Sequence, residues 1–306
     1  MQYFYGPVPS RRLGFSLGVD LTPRKTCTID CIYCQLGKTT NKTTRRRWYI
    51  DLDQFKKEFK EILKSAPRIE YITLSGSGEP TLHKDIDRVI ALLKSLSRNR
   101  YPVCVITNST LLYRKQVRKQ LLGADLIIPS LDAADPATFR RINRPKKSIT
   151  FNKVVSGIYN LRKEFKGKIW LEIMLISRIN DTVRQAKKFQ KIISRLKPDK
   201  VQLNLPVRPS IGNFKPPSEK KIRLLEKYIG KTAEVVCSFT KASRSSMNRD
   251  IEKNILAFLK RRPATIADLS KSLGHNISEV SKYLSSLLHE GRIYRTKHNK
   301  DIFYHA

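Results

Sequence analysis

Three thiols fall within eight residues, Cys27, Cys31 and Cys34, in the run Lys-Thr-Cys-Thr-Ile-Asp-Cys-Ile-Tyr-Cys-Gln. A closed structural zinc site or an ordinary ferredoxin cluster takes four protein ligands, and ferredoxin runs are spaced and ended differently. Three thiolates on one tight loop can hold three irons of a [4Fe–4S] cube and leave the fourth iron open to another ligand. Zinc completed by a distant His or Cys, or thiols that are simply buried, are the other readings of the triplet taken alone.

The elements around the triplet must present a partner to it. Residues 1–12 are aromatic and Pro-rich and are expected to be an ordered lead-in without regular structure, followed by a first strand over 16–21. Asp51 reads as an N-cap ahead of Leu52, Phe55, Phe59, Ile62 and Leu63 at helical spacing. Strands are then predicted at 71–75, 103–107, 126–130, 170–176 and 200–205, alternating with helices at 86–96, 113–122, 151–165, 183–196 and 218–229. Six strands, each followed by a helix, predict a parallel α/β sheet with right-handed crossovers. Six is too few for the eight-fold barrel, so the expectation is an open (βα)6 three-quarter barrel, with residues 234–238 adding an edge strand.

In sheets of this kind ligands collect at the carboxyl ends of the strands. Four polar motifs fall there: the cysteine loop, Ser75-Gly76-Ser77-Gly78-Glu79-Pro80, Thr107-Asn108-Ser109, and Ser130-Leu131-Asp132. Gly76 and Gly78 would let backbone approach a ligand, and free carbonyls beside Ser77 could accept from an ammonium group. Glu79 offers a carboxylate for that ammonium or for local order. Gln202 and Asn204 alternate with apolar neighbours and so face one side of their strand. Arg178, Asn180 and Arg208 lie near strand ends, where they could face a substrate. A plain turn at the glycines and a helix cap at Ser130 are the bland alternatives.

The C-x3-C-x2-C spacing, with Tyr33 before the last cysteine, resembles the signature of the radical S-adenosylmethionine (SAM) enzymes, and Gly-Ser-Gly-Glu-Pro resembles their Gly-Gly-Glu-Pro motif. The resemblance implies the three-quarter barrel, a [4Fe–4S] cluster on Cys27, Cys31 and Cys34, and SAM chelated at the open iron through its amino and carboxylate groups. It further implies an electron donor such as a flavodoxin or ferredoxin, and splitting of the sulfonium to a 5′-deoxyadenosyl radical that takes hydrogen from a substrate. On the same basis Tyr33 and residues 76–79 belong to the cofactor site. Asn108, Ser130 and Asp132 match positions near the SAM ribose and sulfonium, with Gln202 and Asn204 toward the adenine. A nearer resemblance runs through residues 6–14, 16–21, 31–37, 75–83 and 141–145. It is to an incompletely characterised radical SAM group neighbouring the tRNA wyosine-base synthases, which rebuild a methylguanine using pyruvate. Those enzymes carry a second cluster on extra N-terminal cysteines. This chain departs there, since Cys104 and Cys237 are its only other cysteines.

The charge is unusual: 61 Lys and Arg against 26 Asp and Glu, a net +35. Such an excess favours a polyanionic partner, usually nucleic acid, against the alternative of a basic proteome or a heat-adapted surface. Arg45, Arg46 and Arg47 followed by Trp48 could grip phosphates and stack a base, or form a solvated loop. Residues 250–306 predict three helices and a terminal hairpin. They resemble a winged helix-turn-helix domain, joined to a barrel of residues 1–240 by a polar, basic linker at 241–249. Its third helix offers a single unambiguous cation, Lys282, which weighs against base reading. Charge lies mainly on the barrel, +28 against +7 for residues 241–306. No apolar run approaches the roughly 18–20 residues of a membrane span, and the cysteine usage suggests a reducing, cytoplasmic setting. These expectations converge on a radical SAM enzyme acting on RNA, with tRNA foremost. The alternatives are a peptide or small-molecule substrate with the C-terminal domain as a docking module, and a non-catalytic iron–sulfur or zinc DNA-binding regulator.

Overall fold

The computed structural model describes residues 2–65, 68–206, 210, 214–236, 251–275, 277–299 and 301–306. The chain opens with an antiparallel hairpin, β1 (Phe4–Ser10) and β2 (Gly14–Val19), whose turn carries Arg11 and Arg12. The aromatic lead-in is therefore a strand, which corrects the sequence expectation. Its prolines are tolerated because β1 ends the sheet, where one row of backbone N–H groups needs no partner, and a register shift between Tyr5 and Val8 takes up the irregularity.

The short parallel pair β3 (Thr26–Cys27) and β4 (Asn41–Lys42) brackets the cysteine loop. Helix α1 (Leu52–Lys64) starts where the Asp51 carboxylate accepts the N–H groups of Asp53 and Gln54, and it buries Phe55, Phe59 and Ile62. Thereafter come β5 (Tyr71–Leu74), a single 3-10 turn at Pro80–Leu82, α2 (Ile86–Leu96), β6 (Val103–Thr107), α3 (Lys115–Leu121) and β7 (Leu126–Pro129). Helices α4 (Pro136–Asn143) and α5 (Phe151–Glu164) precede β8 (Lys168–Met174), α6 (Val183–Leu196), β9 (Lys200–Asn204), α7 (Glu219–Ile229) and β10 (Ala233–Val235). The large sheet runs β1-β2-β5-β6-β7-β8-β9-β10, parallel from β2 onward, and its two end strands do not pair. It is the expected open α/β partial barrel, with six strand–helix repeats beginning at β2.

Helix α4 was not expected. Its start is nevertheless written in the chain: Asp135 caps the N–H of Thr138 and Pro136 occupies the first turn. It ends at Arg144 in the left-handed conformation, which delivers Asn143 to the cysteine loop.

The last segment holds α8 (Ile251–Leu259), α9 (Ile266–Leu273), α10 (Ile277–His289) and an antiparallel hairpin, β11 (Tyr294–His298) with β12 (Asp301–His305). Thr265 and Asp268 form a capping box at the start of α9, and Gly274 closes it in the left-handed conformation. Ile255, Phe258, Leu269, Val280 and Leu287 make a core of their own, but Val8 of β1 belongs to it too, with Tyr5 packed alongside. The expected linker, 241–249, and Cys237 lie outside the described residues. Among the described residues no helix is long and apolar enough to cross a membrane.

Candidate active site

A cavity of about 390 Å³ opens at the carboxyl ends of the strands, and Cys27, Cys31 and Cys34 all line it. Of the residues expected to hold SAM, Tyr33, Gly76, Gly78, Glu79, Asn108, Ser130 and Asn204 line it as well. Ser77, Asp132 and Gln202 do not. Ser77 turns its hydroxyl onto Asp20 Oδ2 at 2.5 Å. Gln202 spans from Arg12 at 3.3 Å to Glu234 at 2.9 Å. Asp132 is buried and accepts from Tyr33 Oη at 2.5 Å, Asn143 Nδ2 at 2.7 Å and the Met174 N–H at 3.0 Å. It ties the cysteine loop to α4 and β8. Burial lifts its pKa to about 6, against the pull of those bonds.

Each thiol has one side-chain N–H donor. Asn108 Nδ2 lies 3.3 Å from Cys27 Sγ, Asn143 Nδ2 3.4 Å from Cys31 Sγ, and Lys25 Nζ 3.1 Å from Cys34 Sγ. Such donors favour thiolate over thiol. Burial acts the other way: it raises Cys27 to about 11, with Glu79 adding to the rise, and raises Cys31 well above its ordinary value. Thiols in this position need a cationic partner at sulfur to ionise fully at neutral pH.

The glycines of this motif line the cavity and also pack closely on the protein itself. A Cβ on Gly78 would stand 2.1 Å from the Thr26 carbonyl oxygen, and one on Gly76 would meet the Asp20 carboxylate at 2.5–2.8 Å. The cramped approach is thus to the strand that leads into the cysteine loop, which the Glu79 N–H also joins, at 3.1 Å from Thr26 O. Glu79 itself serves local order. Its Oε1 accepts from the Thr81 N–H and hydroxyl and from Thr107 Oγ1, and its Oε2 from the Asn108 N–H.

Two charged residues that sequence reasoning passed over also line the cavity. Glu172, on β8, is buried and paired with Arg12, and it accepts from Ser130 Oγ and Asn204 Nδ2 at 3.1 Å each. Arg12 holds the Glu172 carboxyl below its ordinary pKa although burial opposes it. Its signal in the sequence is faint: one acid inside an apolar strand.

The basic run divides. Arg46 is half-buried, and its Nε and Nη2 donate to the carbonyls of Thr81, His83 and Lys84 and to Gln120 Oε1, at 2.6–3.1 Å. Arg45 and Arg47 are exposed, as is Trp48, with Lys84 Nζ 3.8 Å from its ring centroid. Arg178 is exposed in a turn, and Asn180 is buried with both amide atoms committed to backbone groups. Arg208 lies outside the described residues.

The model of the radical SAM superfamily matches residues 21–189, over half of the chain, and the chain belongs to that superfamily. It is 32% identical to a UPF0026 protein of Methanocaldococcus jannaschii over 99% of this chain and 96% of that one. It is also 40% identical, over 94% of its length, to a Brachyspira hyodysenteriae protein named GTPase Obg, of which it spans 43%. Among solved structures, TYW1 with a lysine-pyruvate adduct bound shares the fold, with a TM-score of 0.53, 20% identity, and coverage of 74% of this chain and 75% of that one. The protein is accordingly an enzyme of the kind that uses a [4Fe–4S] cluster and SAM. That removes the non-catalytic regulator from consideration.

The residues present fit those groups. Three thiols share one cavity, each with a donor at sulfur, and the buried Asn143 Oδ1 beside them has no hydrogen-bond partner. Among the described residues no three His, Cys, Asp or Glu side chains gather as closely as a single ion requires.

Proposed function

We propose that this protein is a radical SAM enzyme whose substrate is RNA, tRNA foremost. Cys27, Cys31 and Cys34 hold three irons of the cluster, and Gly76, Gly78, Asn108, Ser130 and Asn204 form the walls against which SAM is held. When bound and reduced by an external donor of the flavodoxin or ferredoxin kind, the cluster supplies the electron that cleaves SAM to a 5′-deoxyadenosyl radical. The chain's own part is to bind, orient and shield. Asn108, Asn143 and Lys25 present N–H groups to the sulfurs. The Glu172–Arg12 pair keeps a fixed, internally neutralised polar wall opposite them.

The observation that carries the RNA reading is the sign of the cavity's charge. Lys25, Arg11, Arg12, Arg261 and Arg262 line it against two carboxylates, Glu79 and the Arg12-paired Glu172, in a chain of net +35. Polyanions are drawn to such a mouth before any base is recognised. The test is anaerobic reconstitution followed by mass spectrometry of tRNA from a strain lacking the gene. A modified nucleoside missing from that tRNA, and restored by the reconstituted enzyme with SAM, is the expected result; an unchanged nucleoside inventory would remove RNA as the substrate.

A small molecule is the second reading. It is favoured by one observation: the C-terminal segment packs on β1 instead of standing clear of the barrel, and its Arg261 and Arg262 help to line the cavity.

A further inference from the structure

The cavity wall is completed by residues from far apart in the chain. Arg11 and Arg12 occupy the β1–β2 turn, while Arg261 and Arg262 follow α8. Three observations fix how the C-terminal pair is used. Arg261 is built in: its Nη1 donates to Ala257 O at 2.9 Å and its Nη2 to Gln2 O at 3.4 Å, and its guanidinium lies 4.8 Å from the Tyr5 ring centroid. Its Nε stands 3.9 Å from Asp20, the carboxylate that holds Ser77. Arg12 is answered by Glu172.

Arg262 is different. Its guanidinium carbon sits 4.5 Å from the Phe258 ring centroid, and among the described residues no hydrogen bond or ion pair reaches that guanidinium. Burial lowers its pKa, and the charge of Arg11 acts in the same direction, against Tyr5 and Asp268. A half-buried guanidinium that faces a cavity with no hydrogen-bond acceptor of its own gains from an anion, and its fork of N–H groups matches two oxygens of a phosphate or carboxylate.

We infer that Arg262 forms an anion subsite of the active-site cavity that holds a phosphate or carboxylate of the substrate. The subsite rests on the reading of this cavity as the radical enzyme's site. It makes the C-terminal segment a wall of the reaction chamber, and it assigns to that segment the recognition of the substrate's charged group. Nothing in this role requires the helices to meet duplex DNA.

The test uses the full chain and calorimetric titration with two probes, inorganic phosphate and malonate. Arg262→Gln should weaken the tighter of the two about tenfold, and Arg262→Lys should recover most of the loss because the charge returns. Arg295→Gln, an equal charge change on the exposed face of the terminal hairpin, should leave binding unchanged. A preference for phosphate points to a nucleotide or RNA phosphate, and a preference for malonate to a carboxylic acid; either supports the subsite. Affinity for both probes that is equal in Arg262→Gln and Arg295→Gln, or no binding by wild type, overturns it. Should Arg262→Gln melt far below wild type, Arg262→Met, which keeps the packing on Phe258, carries the same expectation and the same overturning result. Iron uptake by the wild-type preparation separates the two readings. No iron with Arg262-dependent phosphate binding sinks the radical reading alone, and full iron with arginine-independent binding sinks the subsite alone.

Discussion

Cys31 and Gly78 occupy one small region but should fail in distinguishable ways. Removing the Cys31 thiol takes away one of three iron ligands without touching the sheet. Cys31→Ala should therefore lose the roughly four irons per chain expected of the reconstituted protein, as read by iron analysis, while its thermal midpoint before reconstitution stays near wild type. Gly78 abuts the Thr26 carbonyl, one residue before Cys27. Gly78→Val must push that strand away, so it should lower the thermal midpoint and iron uptake together, with destabilisation of about 1–3 kcal/mol typical of overpacking. A variant that loads iron normally and fails only to bind SAM would show that the glycine serves the ligand instead. His83 gives a third test. It is buried, its Nδ1 accepts the Tyr49 N–H at 3.3 Å, and burial depresses its pKa to about 4. The unfolded chain, with an ordinary histidine, binds the proton first, so this residue withdraws stability as pH falls from about 6.5 toward 4. The melting difference between wild type and His83→Gln should narrow across that window in a pH series, and a constant difference would show that His83 does not titrate there.

At the level of elements, most of the frame was legible because its periodicities are strong and its caps explicit. Helix α6 was predicted over its observed span, and Asp51 and Thr265 announced α1 and α9. The misses share a cause: a tertiary partner decided the outcome. Pro7 and Pro9 argued against a strand, yet β1 exists because it ends the sheet and the C-terminal helices cover Val8. Asp132 had the right type and place to meet a ligand, yet it also accepts from Tyr33, Asn143 and the Met174 N–H, which only folding brings together. Arg46 looks like its neighbours in sequence, and the backbone carbonyls it binds belong to a turn more than thirty residues away. Three cysteines on one loop needed no such help. Their spacing is local, which is why the sequence alone could place them in one cavity and the walls around them only in part.

For the whole molecule, the charge makes a measurable claim. Binding of tRNA should weaken steeply as salt rises, because each neutralised phosphate releases counterions. Neutralising the exposed Arg45 and Arg47 together should flatten that slope by about one unit for each phosphate they no longer pair with, whereas Arg46, bound to carbonyls, should act through stability and not through the slope. Filter binding across a salt series decides it, and identical slopes for all variants would place the RNA path elsewhere.

The shared core of Val8 with the C-terminal helices bears on how the chain comes off the ribosome. Strand β1 is made long before the helices of residues 251–306 that cover it, so until those residues follow, an edge strand carrying Val8 and Tyr5 waits exposed. Unpaired edges with uncovered apolar side chains are where nascent chains associate wrongly. A chain arrested near residue 240 should therefore be cut within β1 by a dilute protease that spares the finished protein, and should engage a holding chaperone until the final helices arrive. A strand made early is thus completed only by helices that lie far downstream of it in the chain.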